Sequence, residues 1–370
     1  MQLRCRQQIT TAGVAVVAMA FTLAACSSSS TTSPTGGSTS SSPAAGSSPS
    51  GSANLSGTLN GSGSTFQLVF QQQAISGFKS VDSGITVNYG GGGSGKGRTD
   101  LASGVVNFAG SDSPIPAKEM PNFKGKKVLY FPILIGPITM AYNLSGVTSL
   151  KLDPTVISGI FQGTIKTWND PAIKALNSGV SLPSTPITIA VRSDSSGTTQ
   201  NFTLFLQKAV GGAWTLGSSS TIKWPSAARA GNGNGGVAQI IKSTPGAIGY
   251  VDYATAKASA LSFASVKNSS GDFVAPSPAS ASASAAGVTV APNLTFHAVW
   301  GSGATAYPIT YQSWDLVYAQ QPSANDAAML KAYLGYLLGA GQQQLTTLGY
   351  APLPSSIDQQ AQAQLSQITG

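Results

Sequence analysis

The chain has 370 residues, a formal net charge of +8, 41% hydrophobic residues and only 9% charged ones. Its surface is therefore sparsely basic. The lysines are scattered and no basic run interleaves with aromatics, which excludes a nucleic-acid-binding stripe. Two cysteines and one histidine, in no cluster with metal-ligand spacing, exclude a thiolate or histidine metal centre, and neither metal nor cofactor is expected.

Met1-Gln2-Leu3-Arg4-Cys5-Arg6 followed by an apolar run from Ala12 to Ala25 reads as an export signal, too short to span a bilayer as a stable helix. Its ending, Leu23-Ala24-Ala25-Cys26, resembles a bacterial lipobox. That implies a lipoprotein signal peptide over 1–25, lipid on Cys26, and anchoring at the outer face of a cell membrane without a spanning helix. Residues 26–55 are Ser, Thr, Pro, Gly and Ala almost throughout and read as a disordered tether. Residues 55–370 suit two domains of ordinary size.

The elements of this part alternate. Residues 56–61 read as a strand, 66–78 as a helix with Phe66, Val69, Phe70 and Ala74 on one face, and 84–89 as a strand. A Gly-rich loop leads to a helix over about 97–103. A strand at 105–110 follows, then apolar strands within 128–143 split by Pro132, Gly136 and Pro137, and a short helix at 154–161. Ile187-Thr188-Ile189-Ala190-Val191 reads as a buried strand, 247–251 as another, and 324–338 as a helix capped by Gly339 or Gly341. The Ala/Ser/Pro patch at 275–286 reads as a surface loop or insertion. Repeated strand–loop–helix units imply parallel sheets with helices on both faces, with ligands at the carboxyl ends of the strands.

Four polar loops stand at such ends: Gly61-Ser62-Gly63-Ser64-Thr65-Phe66, Gly91 to Gly97, Gly110-Ser111-Asp112-Ser113-Pro114, and Arg192-Ser193-Asp194-Ser195-Ser196-Gly197-Thr198. Each joins Gly to Ser, Thr or Asp, so backbone N–H groups and hydroxyls can converge on a ligand. Taken alone, the last segment fits two readings. It is good N-cap chemistry, and it is also a small-oxyanion site built from an Arg and a helix N-terminus. Asp112 alone is likewise either a turn residue or an acceptor. Enzyme readings lack support: His297 has no flanking nucleophile motif, Gly61-Ser62-Gly63-Ser64-Thr65-Phe66 lacks the third glycine of a dinucleotide fingerprint, and 159–166 is no P-loop. Trp168 and Trp224 read as packing residues.

These segments together resemble the phosphate-binding lipoproteins that feed Pst-type ABC importers. The stretches Ile160-Phe161-Gln162-Gly163-Thr164-Ile165-Lys166-Thr167-Trp168-Asn169-Asp170 and Pro245-Gly246-Ala247-Ile248-Gly249-Tyr250-Val251 carry the same resemblance. It implies an α/β, two-lobed periplasmic-binding-protein-like fold of type II, with two parallel or mixed sheets flanked by helices and joined by hinge strands. Lobe one would be 55–138 plus 256–370, and lobe two 139–255. It also implies high-affinity binding of inorganic phosphate by a monomer, and delivery to the membrane subunits of an ABC permease, without catalysis. The implied ligand contacts are Thr65, the backbone N–H of Phe66, Ser94, Asp112, Arg192, Ser196, Gly197 and Thr198, with Asp194 orienting Arg192. Lys96 replaces the small residue usual in the family and is expected to face solvent. Phosphate keeps a proton near neutral pH and sulfate does not, so an ionised Asp112, which can only accept, would select for phosphate. The competing readings are a binding protein for another oxyanion, such as sulfate or molybdate, and a surface sensor or adhesin on the same scaffold.

Overall fold

The computed structural model describes residues 55–370; the expected signal peptide, Cys26 and nearly all of the tether lie outside the described residues. The first elements are β1 (Gly57–Gly63), α1 (Leu68–Val81), β2 (Ile85–Gly90), α2 (Ser94–Ala102), β3 (Phe108–Ser111) and β4 (Val128–Tyr142). Next come β5 (Lys151–Leu152), α3 (Pro154–Phe161), α4 (Pro171–Leu176), β6 (Thr188–Arg192), α5 (Gly197–Val210), β7 (Arg229–Gly231), α6 (Gly233–Ser243) and β8 (Ala247–Asp252). The remainder includes α7 (Tyr253–Ala258), β9 (Ser262–Phe263), β10 (Ser265–Lys267), β11 (Phe273–Val274), α8 (Pro278–Ala285), β12 (Thr310–Tyr318) and α9 (Ala324–Leu338).

A nine-stranded sheet follows the order β2-β1-β3-β12-β4-β8-β6-β7, with β9 off this path beside the end of β4. Two parallel groups lie at its ends, β1 with β2 and β3, and β6 with β7 and β8. The antiparallel strands β12 and β4 join them. The two sheets are thus one continuous path, because β4 belongs to both: residues 128–137 pair with β12 and residues 138–142 with β8.

This corrects the reading of 128–143 as split strands. Pro132 coincides with the register shift between β12 and β4, and Pro137 with the exchange of partner from β12 to β8. A proline removes one ladder donor, and it is tolerated where the ladder is already interrupted. Burial holds the strand together: from Leu129 to Tyr142 every residue is buried.

The 275–286 patch is a second correction. It contains α8, whose N-terminus is a capping box of Ser277 and Ser280 with Pro278 in the first turn. Ala281 and Ala285 are buried in the main core, and Ser284 Oγ donates to the Ala298 carbonyl at 2.8 Å. Small side chains let this helix approach closely, so a segment of low complexity packs as a core helix.

Other helices begin where their caps dictate. Asp153 accepts from Val156 N ahead of Pro154 in α3, and Ser323 accepts from Asp326 N ahead of α9, which ends at Gly339. The sequence of α2 was expected to enter the helix at about 97, and it enters at Ser94.

The second core half is built on aromatics. Phe202 stacks on Tyr250 at 4.5 Å between ring centroids, and Phe161 meets both rings. Trp224 packs against Phe161, Trp214 and Tyr250. Trp168 is fully buried and its indole N–H donates to the Gly246 carbonyl at 2.9 Å. Replacing Trp168 by Ala is expected to leave a cavity beneath β8, while the Gly246 carbonyl keeps its bond from Thr188 N. The expected loss is about 3–5 kcal/mol of stability, read as a lower denaturant midpoint.

Candidate functional site

The carboxyl ends of the two parallel groups face each other, and their loops touch. Gly95 N donates to the Ser195 carbonyl at 3.0 Å, tying the start of α2 to the loop after β6. Asn234 Nδ2 and its backbone N donate to Thr65 Oγ1, each at 3.2 Å, tying the start of α6 to the loop after β1. Asn201 Nδ2, one turn into α5, donates to the Asp112 carbonyl at 2.7 Å and the Gly197 carbonyl at 2.9 Å.

Asp112 follows the last residue of β3 and is 1% exposed. Its Oδ1 accepts from Ser313 Oγ at 2.5 Å, and its Oδ2 accepts from Ser94 Oγ at 3.3 Å. Its own N–H donates to Ser94 Oγ at 3.1 Å. Burial pushes the carboxyl up to about 6, against the pull of Ser313, Ser64, Arg192 and Ser94.

Arg192 ends β6 and is also buried. Asp194 grips its guanidinium through two hydrogen bonds, from Nε at 2.8 Å and from Nη2 to the second oxygen. The Nη1 group reaches Thr198 Oγ1 at 3.3 Å and Asn234 Oδ1 at 3.4 Å. Burial alone would raise the Asp194 carboxyl; Arg192 and the Gly233 N–H outweigh it and hold the group below its ordinary value. Tyr250 Oη supports the same corner, accepting from Arg192 N at 3.1 Å and lying 2.7 Å from Thr199 Oγ1.

The start of α5 faces Asp112. Ser196 caps it by accepting from Thr199 N at 3.1 Å, leaving the first helical N–H groups, at Gly197 and Thr198, without intrahelical partners. A Cβ on Gly197 would come within 2.5 Å of Asp112 Cβ and 2.6 Å of Oδ2. Only glycine permits that approach. Gly93, at φ +90°, turns the loop into α2 where a Cβ would strike the Ser195 carbonyl.

All the expected residues therefore gather at one place. Thr65 is half-buried and bonded to Asn234; Ser94, Asp112, Arg192, Ser196, Gly197 and Thr198 are buried together. The Phe66 N–H donates to Ser64 Oγ at 3.1 Å, while its ring stacks on Tyr311 at 3.9 Å and its carbonyl accepts from Tyr350 Oη. Lys96 turns away to pair with Asp100 at 2.5 Å, its side chain 53% exposed. His297 lies apart, on a surface pocket of about 520 Å³ with Lys208 and Trp300, where burial and Lys208 push its imidazole down.

Asn234 and Ser313 were not anticipated. Asn234 had a legible signal: Gly231-Asn232-Gly233-Asn234-Gly235-Gly236 follows a strand and opens a helix, as three of the four recognised loops do. Ser313 lies inside a strand and has none.

A family model described as a PBP superfamily domain matches residues 48–340. Phosphate-binding protein PstS 3 of Mycobacterium leprae (strain TN) is 35% identical over 315 residues, 81% of this chain and 84% of that protein. Phosphate-binding protein PstS 2 of Mycobacterium tuberculosis (strain ATCC 25618 / H37Rv) is 34% identical over 354 residues, 90% and 94% of the two chains. The chain belongs to the PstS family of phosphate-binding proteins. Among solved structures, a high-affinity periplasmic phosphate-binding protein bound with phosphate, PfluDING, superposes with a TM-score of 0.70 at 23% identity, covering 83% of this chain and 93% of that one. A putative phosphate ABC transporter substrate-binding protein from Clostridium perfringens gives 0.60 at 17% identity, covering 80% and 100%. These neighbours establish the two-lobed PstS fold for this chain.

Three carboxyls of this PstS chain, Asp112, Asp252 and Asp315, are fully buried, and burial pushes them up to about 6, 6 and 7 from an ordinary 3.8. The folded chain holds these protons to higher pH than the unfolded chain does. The stabilisation is complete below pH 3.8 and is lost as pH rises through 6 to 7. Ligand-stripped protein should therefore lose stability between about pH 4 and pH 7, and Asp112→Asn should make that slope shallower by about 2–3 kcal/mol over the interval. Denaturant midpoints of both proteins across the range measure the difference, in which the opposing contribution of His297 cancels.

Proposed function

We propose that this chain binds inorganic phosphate between two lobes, residues 55–138 plus 256–370 and residues 139–255, and delivers it to the membrane subunits of an ABC permease for import. The observation that carries this reading is the buried Asp112, a lone acceptor facing donors from the opposite loops. Thr65, Ser94, Arg192, Ser196 and the N–H groups of Gly197 and Thr198 would donate to the oxyanion, joined by the Phe66 N–H once it exchanges its bond to Ser64 Oγ for the ligand. Asp112 Oδ2 would accept the proton that phosphate carries and sulfate lacks.

Asp194 neutralises Arg192, so most of the affinity comes from local dipoles and hydrogen bonds at the start of α5 and in the Gly-rich loops. Closure is favoured by contacts that exist only between the lobes: Gly95 with Ser195, Thr65 with Asn234, and Asn201 with Asp112. The protein acts as a monomer that binds and releases its ligand without making or breaking a bond. A lipid on Cys26 would hold it on the extracytoplasmic face of the membrane, near its permease.

Calorimetry near neutral pH should give tight phosphate binding and a preference over sulfate of about 10⁴-fold or more. Asp112→Asn should shrink that preference, whereas Arg192→Ala should weaken both anions by roughly 30-fold or more, and Asn234→Ala both by about tenfold. Comparable affinity for the two anions in the wild-type protein would overturn the reading. Expressed in a bacterium, the wild-type chain should fractionate with membranes and the Cys26→Ser variant should not; equal distribution would remove the lipid anchor.

A further inference from the structure

We propose that Ser313, held by Gln67 and Gln71, is a positioning residue that keeps Asp112 an acceptor and thereby sets the discrimination between protonated and fully ionised tetrahedral oxyanions. The inference rests on the phosphate reading of the site and names residues outside its ligand shell.

Strand register brings Ser313 to Asp112. β12 runs antiparallel to β3 with Trp314 opposite Ser111 and Asp315 opposite Gly110. Asp112, the residue after β3, therefore falls opposite Ser313. The ladder with β4 shifts between Ser313 and Trp314, where Leu134 and Pro132 are successive partners. Such bulges re-aim side chains next to functional sites. Here Ser313 Oγ is directed at Asp112 Oδ1, 2.5 Å away.

The direction of every hydrogen bond behind that contact follows from one carbonyl. The Trp314 backbone oxygen can only accept, and a Gln67 side-chain atom lies 2.9 Å from it, so that atom is Nε2. The same Nε2 donates to Ser313 Oγ at 2.8 Å, so the single Ser313 proton points away from Gln67, to Asp112 Oδ1 at 2.5 Å in preference to the Ser111 carbonyl at 3.4 Å. Gln67 Oε1 therefore faces Gln71 and must accept, from Gln71 Nε2 at 3.2 Å. That amide also donates to Asp315 at 3.0 and 3.3 Å, and Gln71 Oε1 accepts from Tyr333 Oη at 2.5 Å. Asp112, Ser313, Gln67, Gln71 and Asp315 are all buried. The polarity stands whether or not Asp315 carries a proton, because the Trp314 carbonyl fixes it.

Asp112 Oδ1 is thus committed to one donor, and Oδ2, with its single longer contact to Ser94, is the oxygen left for a ligand proton. Burial works the other way and favours the protonated acid, which would donate from Oδ2 and accept sulfate. The other groups facing Asp112 are Arg192 on β6, with its charge already matched by Asp194, Asp252 at the end of β8, and the hydroxyls of Ser64, Tyr89, Tyr311 and Tyr350. Arg98 is taken by Glu119, Ser111 and Ser113. Among the described residues, Ser313 makes the shortest hydrogen bond to the Asp112 carboxylate.

Sulfate neither gains nor loses a proton between about pH 5 and pH 8, so the pH dependence of its binding reports the protein alone. Calorimetric titration of the full chain with sulfate and phosphate across that range, at constant ionic strength, tests the proposal. Wild-type protein should bind phosphate at neutral pH and sulfate measurably only on an acid limb. In Ser313→Ala that limb should move up by about one pH unit, the tenfold effect of one hydrogen bond to a charged group. The sulfate-to-phosphate affinity ratio near pH 7 should rise about tenfold. Ser313→Thr, which keeps the hydroxyl, should restore both, and Gln67→Met should shift the limb in the same direction by less. An unmoved limb in Ser313→Ala, with both anions weakened equally, would reduce Ser313 to packing. So would failure of Ser313→Thr to restore the wild-type profile. Absence of phosphate binding by the wild-type protein at neutral pH would instead overturn the reading of the site itself.

Discussion

The proposed function needs a carboxylate to stay ionised out of water at the point where the ends of two parallel strand groups meet. Burial disfavours that state, and three arrangements oppose it. Ser313 and Ser94 donate to Asp112 directly. Arg192 supplies a positive charge across the gap. The start of α5 presents its unpaired N–H groups from the other side. Each depends on a different element, so Asp112 is satisfied only when β12, α2 and the second half of the fold are in place together. The same burial that makes Asp112 costly to ionise is what would make it selective, since a solvated carboxylate discriminates poorly among anions that water also contacts.

The fold supplies that meeting point through β4. One strand, buried along nearly its whole length, carries β12 on its first half and β8 on its second. The parallel groups extend away from it on both sides, so their carboxyl ends converge over its middle. Two segments link the parallel groups, the one around Gly136 and Pro137 and the one after β8. The aromatic core beneath is tied to the start of α5 through Tyr250, which holds Arg192 N and Thr199.

Local chemistry was readable in the chain. The loops at Gly61, Gly91, Gly110 and Arg192 announce themselves by glycine beside hydroxyls after β-branched runs, and caps such as Asp153, Ser196 and Ser323 act on N–H groups within three residues. The loop at Asn232 has the same signature and was legible in principle. Two local readings failed for non-local reasons. Prolines in β4 signalled breaks, but neighbouring strands change register or identity at those residues. An Ala/Ser run at 275–286 signalled a loop, but a close-packed position beside the sheet makes small residues the right filling for α8.

The sequence by itself determined many of the parts: most of the strands, though not β12, most helix starts, though not that of α8, which loops can face an anion, and that two acids and an arginine stand among them. Those properties are set by residues within a turn or two of each other. Tertiary structure alone decided the pairings: Thr65 with Asn234 across 169 residues, and Asp112 with Ser313 across 201. Neither pairing leaves a local trace. A serine inside a strand looks alike whether it faces solvent or a buried carboxylate, and only strand register decides which.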